Sequence, residues 1–300
     1  MSRLADALKR ARHPAEVPES EGAVPDVALG GPYPVTGEPA PPAARPWFSR
    51  APVRVGESSS HALRAPHEFS DRLARKLVTD PESRPVAVEQ YRRLAGGLHH
   101  AQAQSGIKVV MVTSALESEG KSLSACNLAL TLSHSYRMRV LLIDADLRRP
   151  SLHEMFRLPT TAGLTERLRA THEREMPLFE VSPGLVVLPA GRPDADPAGS
   201  LTSDRVARLI SEARDGFDWV LIDTPPLGLV PDAALLSPHA DTVLLVVRAG
   251  GSPCALVRQA VETLGSDRIF GVLLNAAEAG TVLKAGGYDS YGYYSGAGRP

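Results

Sequence analysis

The stretch Val109-Val110-Met111-Val112-Thr113-Ser114-Ala115-Leu116-Glu117-Ser118-Glu119-Gly120-Lys121-Ser122 decides the fold. Val109 to Thr113 is a continuous apolar run, as expected of a strand buried on both faces. Gly120-Lys121-Ser122 opens a helical-looking segment, Leu123 to Ser133. A strand, a tight loop and a helix in that order make a phosphate cradle. Backbone N–H groups of the loop and of the helix N-terminus face the anion, and the helix dipole favours negative charge there. The lysine reaches the terminal phosphates, and the following hydroxyl holds Mg²⁺. Against the pattern G-x-x-x-x-G-K-[ST] one position departs: Ala115 replaces the first glycine. Taken alone, the stretch also reads as a surface turn with a chance Gly-Lys pair, so the surrounding sequence has to decide.

Downstream, apolar runs alternate with amphipathic segments. Strands are expected at 139–144, 185–189, 218–223, 242–248 and 269–275, and helices at 122–135, 151–156, 163–170, 203–215, 232–237 and 254–264. Before the first strand, Val88, Tyr91, Leu94 and Leu98 have helical spacing. Repeated βα units predict an α/β fold, a P-loop NTPase with a mostly parallel sheet and helices on both faces. Ligands of such sheets bind at the carboxyl ends of the strands.

Two of those strand ends carry carboxylates. Val140-Leu141-Leu142-Ile143 runs into Asp144-Ala145-Asp146-Leu147-Arg148-Arg149-Pro150, and Trp219-Val220-Leu221-Ile222 runs into Asp223-Thr224-Pro225-Pro226. Magnesium bridging phosphates wants hard oxygen ligands, which aspartates at these positions supply. A single aspartate here reads equally well as a helix cap. The phosphate loop and both acidic strand ends, in this order and spacing, point to one ATP–Mg²⁺ site.

With these residues in place, the segment from 86 to 278 resembles the bacterial tyrosine kinases (BY-kinases) of the CpsD/CapB type, P-loop ATPases related to the MinD/ParA group that serve polysaccharide export. Asp144-x-Asp146-x-Arg148-Arg149-Pro150 resembles the family's second Walker A-like motif, and Ile222-Asp223-Thr224-Pro225-Pro226 its Walker B motif. Tyr288, Tyr291, Tyr293 and Tyr294 resemble the family's autophosphorylated tail. The resemblance implies that the backbone around Glu119, Gly120, Lys121, Ser122 and Leu123 cradles the phosphates. It implies that Lys121 neutralises charge on the β/γ oxygens, and that Ser122, Asp146 and Asp223 lie at the metal. Asp144 is the better candidate to orient or deprotonate the incoming tyrosine, with Asp146 the alternative. Asn275 falls where relatives contact adenine, or is a strand-end turn residue. A separate membrane polysaccharide co-polymerase is the implied activator, with a homo-oligomer phosphorylating in trans.

Departures from the family pattern carry expectations of their own. Leu116-Glu117-Ser118 stands where the family places Pro-Gly, which predicts a less rigid cradle or weaker nucleotide affinity. The family's Glu-x-x-Arg-x-x-Arg, used for ring assembly, is matched by Glu89 and Arg92, but Ala95 replaces the second arginine. Arg93 points about 100° around the helix from Arg92, so it does not substitute. Leu116 also occupies the position of the extra lysine of MinD/ParA switch ATPases, which counts against that alternative. A third reading is a weakly active ATP-binding regulator of polysaccharide export.

The remaining sequence bounds these readings. The 300-residue chain is 43% hydrophobic and 22% charged with a formal net charge of −1, so no global attraction to nucleic acid is expected. Cys126 and Cys254 form neither a disulfide framework nor a metal spacing, in keeping with a cytoplasmic protein. No apolar run approaches the roughly 20 residues that span a bilayer. With the membrane partner that the resemblance implies, the expected location is cytoplasmic, at the inner face of the cell membrane. Residues 1–67, rich in Pro, Ala and Gly, are expected to be a disordered region, with a short basic helix at 1–12 as an option and Trp47-Phe48 as its strong apolar pair. Residues 68–278 form the kinase domain and 279–300 a Gly/Tyr-rich tail.

Overall fold

The alternating side chains of the buried strands divide the core in two. On one face of the sheet Val109, Met111, Leu141, Ile143, Val220 and Ile222 pack with Leu164, Leu168, Leu209 and Ile210. On the other, Val110, Val112, Val140, Leu142, Trp219 and Leu221 pack with Ala95, Leu98, Leu128 and Leu132. Period-two geometry sends successive side chains to opposite faces, so a run apolar at every position needs a helical layer on each side.

The computed structural model describes residues 76–79, 85–170 and 177–277. The expected elements at 1–67, most of the segment 68–84 and the tyrosine cluster of the tail lie outside the described residues. Helix α1 (Pro85–Ser105) precedes β1 (Val109–Ser114), and α2 (Lys121–Ser135) follows the phosphate loop. Then come β2 (Val140–Asp144), α3 (Leu152–Met155), α4 (Leu164–Arg169), β3 (Phe179–Ser182), β4 (Leu185–Leu188), α5 (Ala198–Leu201) and α6 (Asp204–Gly216). The remainder is β5 (Trp219–Asp223), α7 (Asp232–Leu236), β6 (Thr242–Arg248), α8 (Cys254–Leu264) and β7 (Ile269–Asn275).

The strands of the described residues form one sheet in the order β3-β4-β2-β5-β1-β6-β7. All neighbours are parallel except β3 and β4. Asp144 pairs in register with Asp223, and Val112 with that same Asp223 from the opposite side. The register thus brings the two acidic strand ends beside the strand that feeds the phosphate loop. Helix α2 is buried along nearly its whole circumference from Ser124 to Ser133, because it lies under the sheet and is covered by α1. Among the described residues no helix is long and apolar enough to cross a membrane.

The expected βα alternation holds, with two short additions: α5, and the antiparallel strand β3. Strand β3 is four residues long and half-exposed, and it turns into β4 through Gly184 at a φ of 80°. The Pro183-Gly184 dipeptide is the turn signal that marks it in the sequence.

Candidate active site

The phosphate loop runs from Ala115 to Gly120, between β1 and α2. Its backbone bends at Ser118, with a φ of 61°, and at Gly120, with a φ of 92°. Ala115 is buried and has no positive φ, so the missing first glycine is not needed there for backbone freedom. At Gly120 glycine is needed twice over, because a Cβ there would stand 2.0 Å from Asn275 Nδ2. The first bond into the helix runs from Ser124 N–H to the Gly120 carbonyl. The N–H groups of Lys121, Ser122 and Leu123 precede it and form the anion-facing end of α2. The Leu123 side chain itself packs against the core.

The side chain of Glu119 braces the loop whose backbone is expected to face the phosphates. It is buried, its Oε2 accepts the N–H of Leu116 at 2.9 Å, and its Oε1 accepts the hydroxyl of Ser252. Its carbonyl accepts Asn275 Nδ2 at 2.8 Å. Glu117 accepts Arg149 at 2.6 Å, and Arg248 donates to the Ser118 carbonyl at 3.4 Å. Where Pro-Gly is absent, the loop is thus braced by side chains from β6, β7 and the segment after β2. Ser252 was not foreseen in the sequence, because it lies 133 residues from the glutamate it meets.

Lys121 reaches across the loop to the acidic strand ends. Its Nζ lies 3.0 Å from Asp146 Oδ2, 3.9 Å from Asp223 Oδ1 and 3.3 Å from Ser122 Oγ. Burial pulls the lysine pKa down, but Asp223 and Asp146 together more than reverse this, so the ammonium is held above its ordinary value. The predicted residues Lys121, Ser122, Asp146 and Asp223 are therefore brought together.

Asp144 sits beside this cluster, fully buried. Its Oδ2 accepts the N–H groups of Ser151 at 3.0 Å and Leu152 at 2.9 Å, and its Oδ1 that of Asp146 at 3.3 Å. Burial, then the neighbouring Asp223 charge, push its carboxyl up to about 8, against the pull of the two later amides. Asp223 is also fully buried, and neither of its carboxylate oxygens accepts a hydrogen bond. Burial raises its pKa, with Lys121 and Ser122 opposing. An unbonded buried carboxylate costs several kcal/mol unless a cation compensates it. Among the described residues no three His, Cys, Asp or Glu side chains are placed to hold a metal by themselves.

A lysine-bearing loop between a buried parallel strand and a helix, facing aspartates on neighbouring strand ends, defines a nucleotide-binding domain of the P-loop class. No protein-family model matches the chain. The chain is 34% identical over 226 residues to the tyrosine-protein kinase YwqD of Bacillus subtilis, an alignment covering 74% of this chain and 92% of that one. It is 35% identical over 226 residues to the succinoglycan biosynthesis transport protein ExoP of Rhizobium meliloti, covering 73% of this chain but only 28% of ExoP. The solved kinase domain of the Escherichia coli tyrosine kinase ETK superposes with a TM-score of 0.59 at 32% identity, covering 64% of this chain and 78% of that one. The chain belongs to the bacterial tyrosine-protein kinase family.

Proposed function

We propose that the protein is an ATP-dependent tyrosine autokinase that phosphorylates Tyr288, Tyr291, Tyr293 and Tyr294 and thereby regulates polysaccharide polymerisation or export. The observation that carries this reading is the cluster of Lys121, Ser122, Asp146 and the unbonded Asp223 at one end of the sheet. A small set of protein oxygens suits a cation that arrives with phosphate oxygens and water, which is the coordination habit of Mg²⁺. Ser122 and Asp223 would hold it, with Asp146 nearby. When bound with ATP, the metal spreads the charge of the β and γ phosphates.

The chain's own residues then act as follows. The amides at the start of α2 bind the phosphates, and Lys121 pairs with the oxygens that become more negative as the γ-phosphoryl leaves. The phosphoryl group forms its new bond to the tyrosine oxygen as the bond to ADP breaks. Asp144 takes the tyrosine proton, a role supported by its place at the end of β2, in register with Asp223 and two residues from Asp146. Asp146 is the alternative base, already engaged by Lys121. Asn275 borders the adenine side of the loop. Residues 68–278 carry the kinase, and 279–300 are the substrate that a neighbouring copy receives. The activator is a separate membrane polysaccharide co-polymerase, which keeps the kinase at the inner face of the membrane.

One observation favours a second reading, a nucleotide-binding regulator with little turnover. Glu117 adds a negative side chain to the phosphate loop, offset only by its exposed pair with Arg149. Purified full-length protein, incubated with ATP–Mg²⁺ with and without cytoplasmic segments of candidate membrane partners, tests both readings. Tyrosine labelling of the tail that disappears in Lys121→Ala supports the kinase. Labelling that survives Lys121→Ala overturns the mechanism, and intact ATP binding without labelling under every condition supports the regulator.

A further inference from the structure

Asp232 is fully buried at the first turn of α7, and among the described residues Arg148 answers its charge. Arg148 Nε donates to its Oδ2 at 2.7 Å and Arg148 NH2 to its Oδ1 at 3.2 Å. The fork of a guanidinium on a carboxylate fixes both direction and distance. The third nitrogen of the same guanidinium donates to the carbonyl of Ala195. Arg148 therefore ties together the segment after β2, the segment after β4 and the start of α7.

The location of this tie matters more than its strength. Arg148 is two residues beyond Asp146, and Asp232 is nine beyond Asp223. Each partner thus terminates a short loop whose other end carries an aspartate of the site. The loop after β2 is held at other points too: Asp194 N–H donates to the Leu147 carbonyl at 2.8 Å, and Arg149 N–H to Asp146 Oδ1 at 3.1 Å. Two contacts cross from the Asp146 loop to the Asp223 side: the Ala145 N–H, which donates to the Asp223 carbonyl at 2.8 Å at the strand ends, and the fork, which joins the far ends of both loops through side chains. Misplacing a reacting group by about 1 Å costs on the order of 10²-fold in rate. A buried ion pair is weak evidence for stability, since apolar replacements of similar volume are often neutral. Stability alone therefore does not account for a buried carboxylate at this place.

We propose that Asp232 is a positioning residue of the kinase, acting through Arg148 to hold the loop after β2 so that Asp146 meets Lys121. This rests on the autokinase reading for its consequence in turnover, but the contact it predicts exists without nucleotide. The two aspartate loops then move together, because the fork links them.

The test uses the full chain. Arg148→Met leaves the Asp232 charge buried and alone, and loses stability. The double variant Arg148→Met with Asp232→Leu removes both charges and recovers the thermal midpoint of the wild type. Nitrogen-15 NMR of the Lys121 ammonium reads its contact with Asp146 in the nucleotide-free protein, and tail labelling at saturating ATP–Mg²⁺ reads turnover. The double variant is expected to have wild-type stability, a nucleotide Kd within about 3-fold, a shifted Lys121 resonance and labelling slower by on the order of 10²-fold. A double variant with wild-type stability, a wild-type Lys121 signal and wild-type turnover overturns the proposal. If the wild type labels no tyrosine with or without the cytoplasmic segments of candidate partners, the kinase reading falls, and the Lys121 signal alone decides the positioning role.

Discussion

The side-chain amide of Asn275 donates to the carbonyl of Glu119 at 2.8 Å, so the last residue of the edge strand holds the phosphate loop from 156 residues away. The same nitrogen fills the space that a Cβ on Gly120 would need. Removing it frees a carbonyl and opens a gap beside the loop. Asn275→Ala is expected to weaken ATP binding by about 3- to 10-fold, the equivalent of one neutral hydrogen bond of about 1 kcal/mol. Isothermal titration with ATP–Mg²⁺ measures this, and an unchanged Kd would remove Asn275 from the site.

Gly228 backs the loop from the opposite side. A Cβ at this position would meet the Ala115 carbonyl oxygen at 2.6 Å, and the Gly228 N–H donates to that same oxygen at 3.2 Å. Backbone cannot retreat as a flexible side chain can. Gly228→Ala is therefore expected to lose about 1–3 kcal/mol of stability and to weaken nucleotide binding together with it. Chemical denaturation and nucleotide titration on the same preparation check both, and a variant with wild-type stability would mean that the β1 end yields easily.

Asp223 gives an expectation for the response to ATP–Mg²⁺. Its buried charge faces Lys121 Nζ at 3.9 Å, so exchanging it for a neutral amide relieves a burial cost but takes a counter-charge from the lysine. Asp223→Asn should lose the rise in Tm that ATP–Mg²⁺ produces. A retained ATP–Mg²⁺ shift would contradict the assignment of Asp223 to the cation.

Titration of the free protein follows from Asp144. Its folded-state pKa, about 8, lies above its ordinary value of 3.8. Between those values the folded protein keeps a proton that the unfolded chain releases, so this residue makes stability fall as pH rises through the window. Asp218 and Asp241 work in the opposite sense. Arg139 lowers the first and Arg214 the second, each against a burial penalty, so their contribution is lost as pH falls through their depressed values. Urea midpoints measured without nucleotide should thus decline from about pH 5 toward pH 8. That decline should flatten in Asp144→Asn, and an equal slope in both proteins would exclude Asp144 as its source.

Much of the site was legible because its parts sit at regular places in a regular fold. Unbroken apolar runs ending in Asp144 and Asp223 demand strands buried on both faces, and parallel pairing then sets both carboxylates beside the lysine loop. Strand β3 escaped notice because four half-exposed residues carry no strong period. The departure at Ala115 looked like a defect in one dimension, yet the positive φ values fall at Ser118 and Gly120. Glu119 was read for its backbone at the phosphate cradle, and no sequence signal marked the bracing of the loop by its side chain through Leu116 and Ser252. The missing arginine at Ala95 has a plain cause: that position is fully buried under the sheet, while Glu89, Arg92 and Arg93 pair with one another at the surface. Arg148 and Asp232 meet across 84 residues, and no local pattern announces such a contact.

The carboxylate of Asp144 has one further consequence, on the timescale of amide hydrogen exchange. A single oxygen accepts the N–H groups of both Ser151 and Leu152. Whatever occupies that oxygen, whether a proton or an acceptor hydroxyl, weakens both bonds at the same moment. Protection of these two neighbouring amides against deuterium should therefore rise and fall together with the state of one carboxylate.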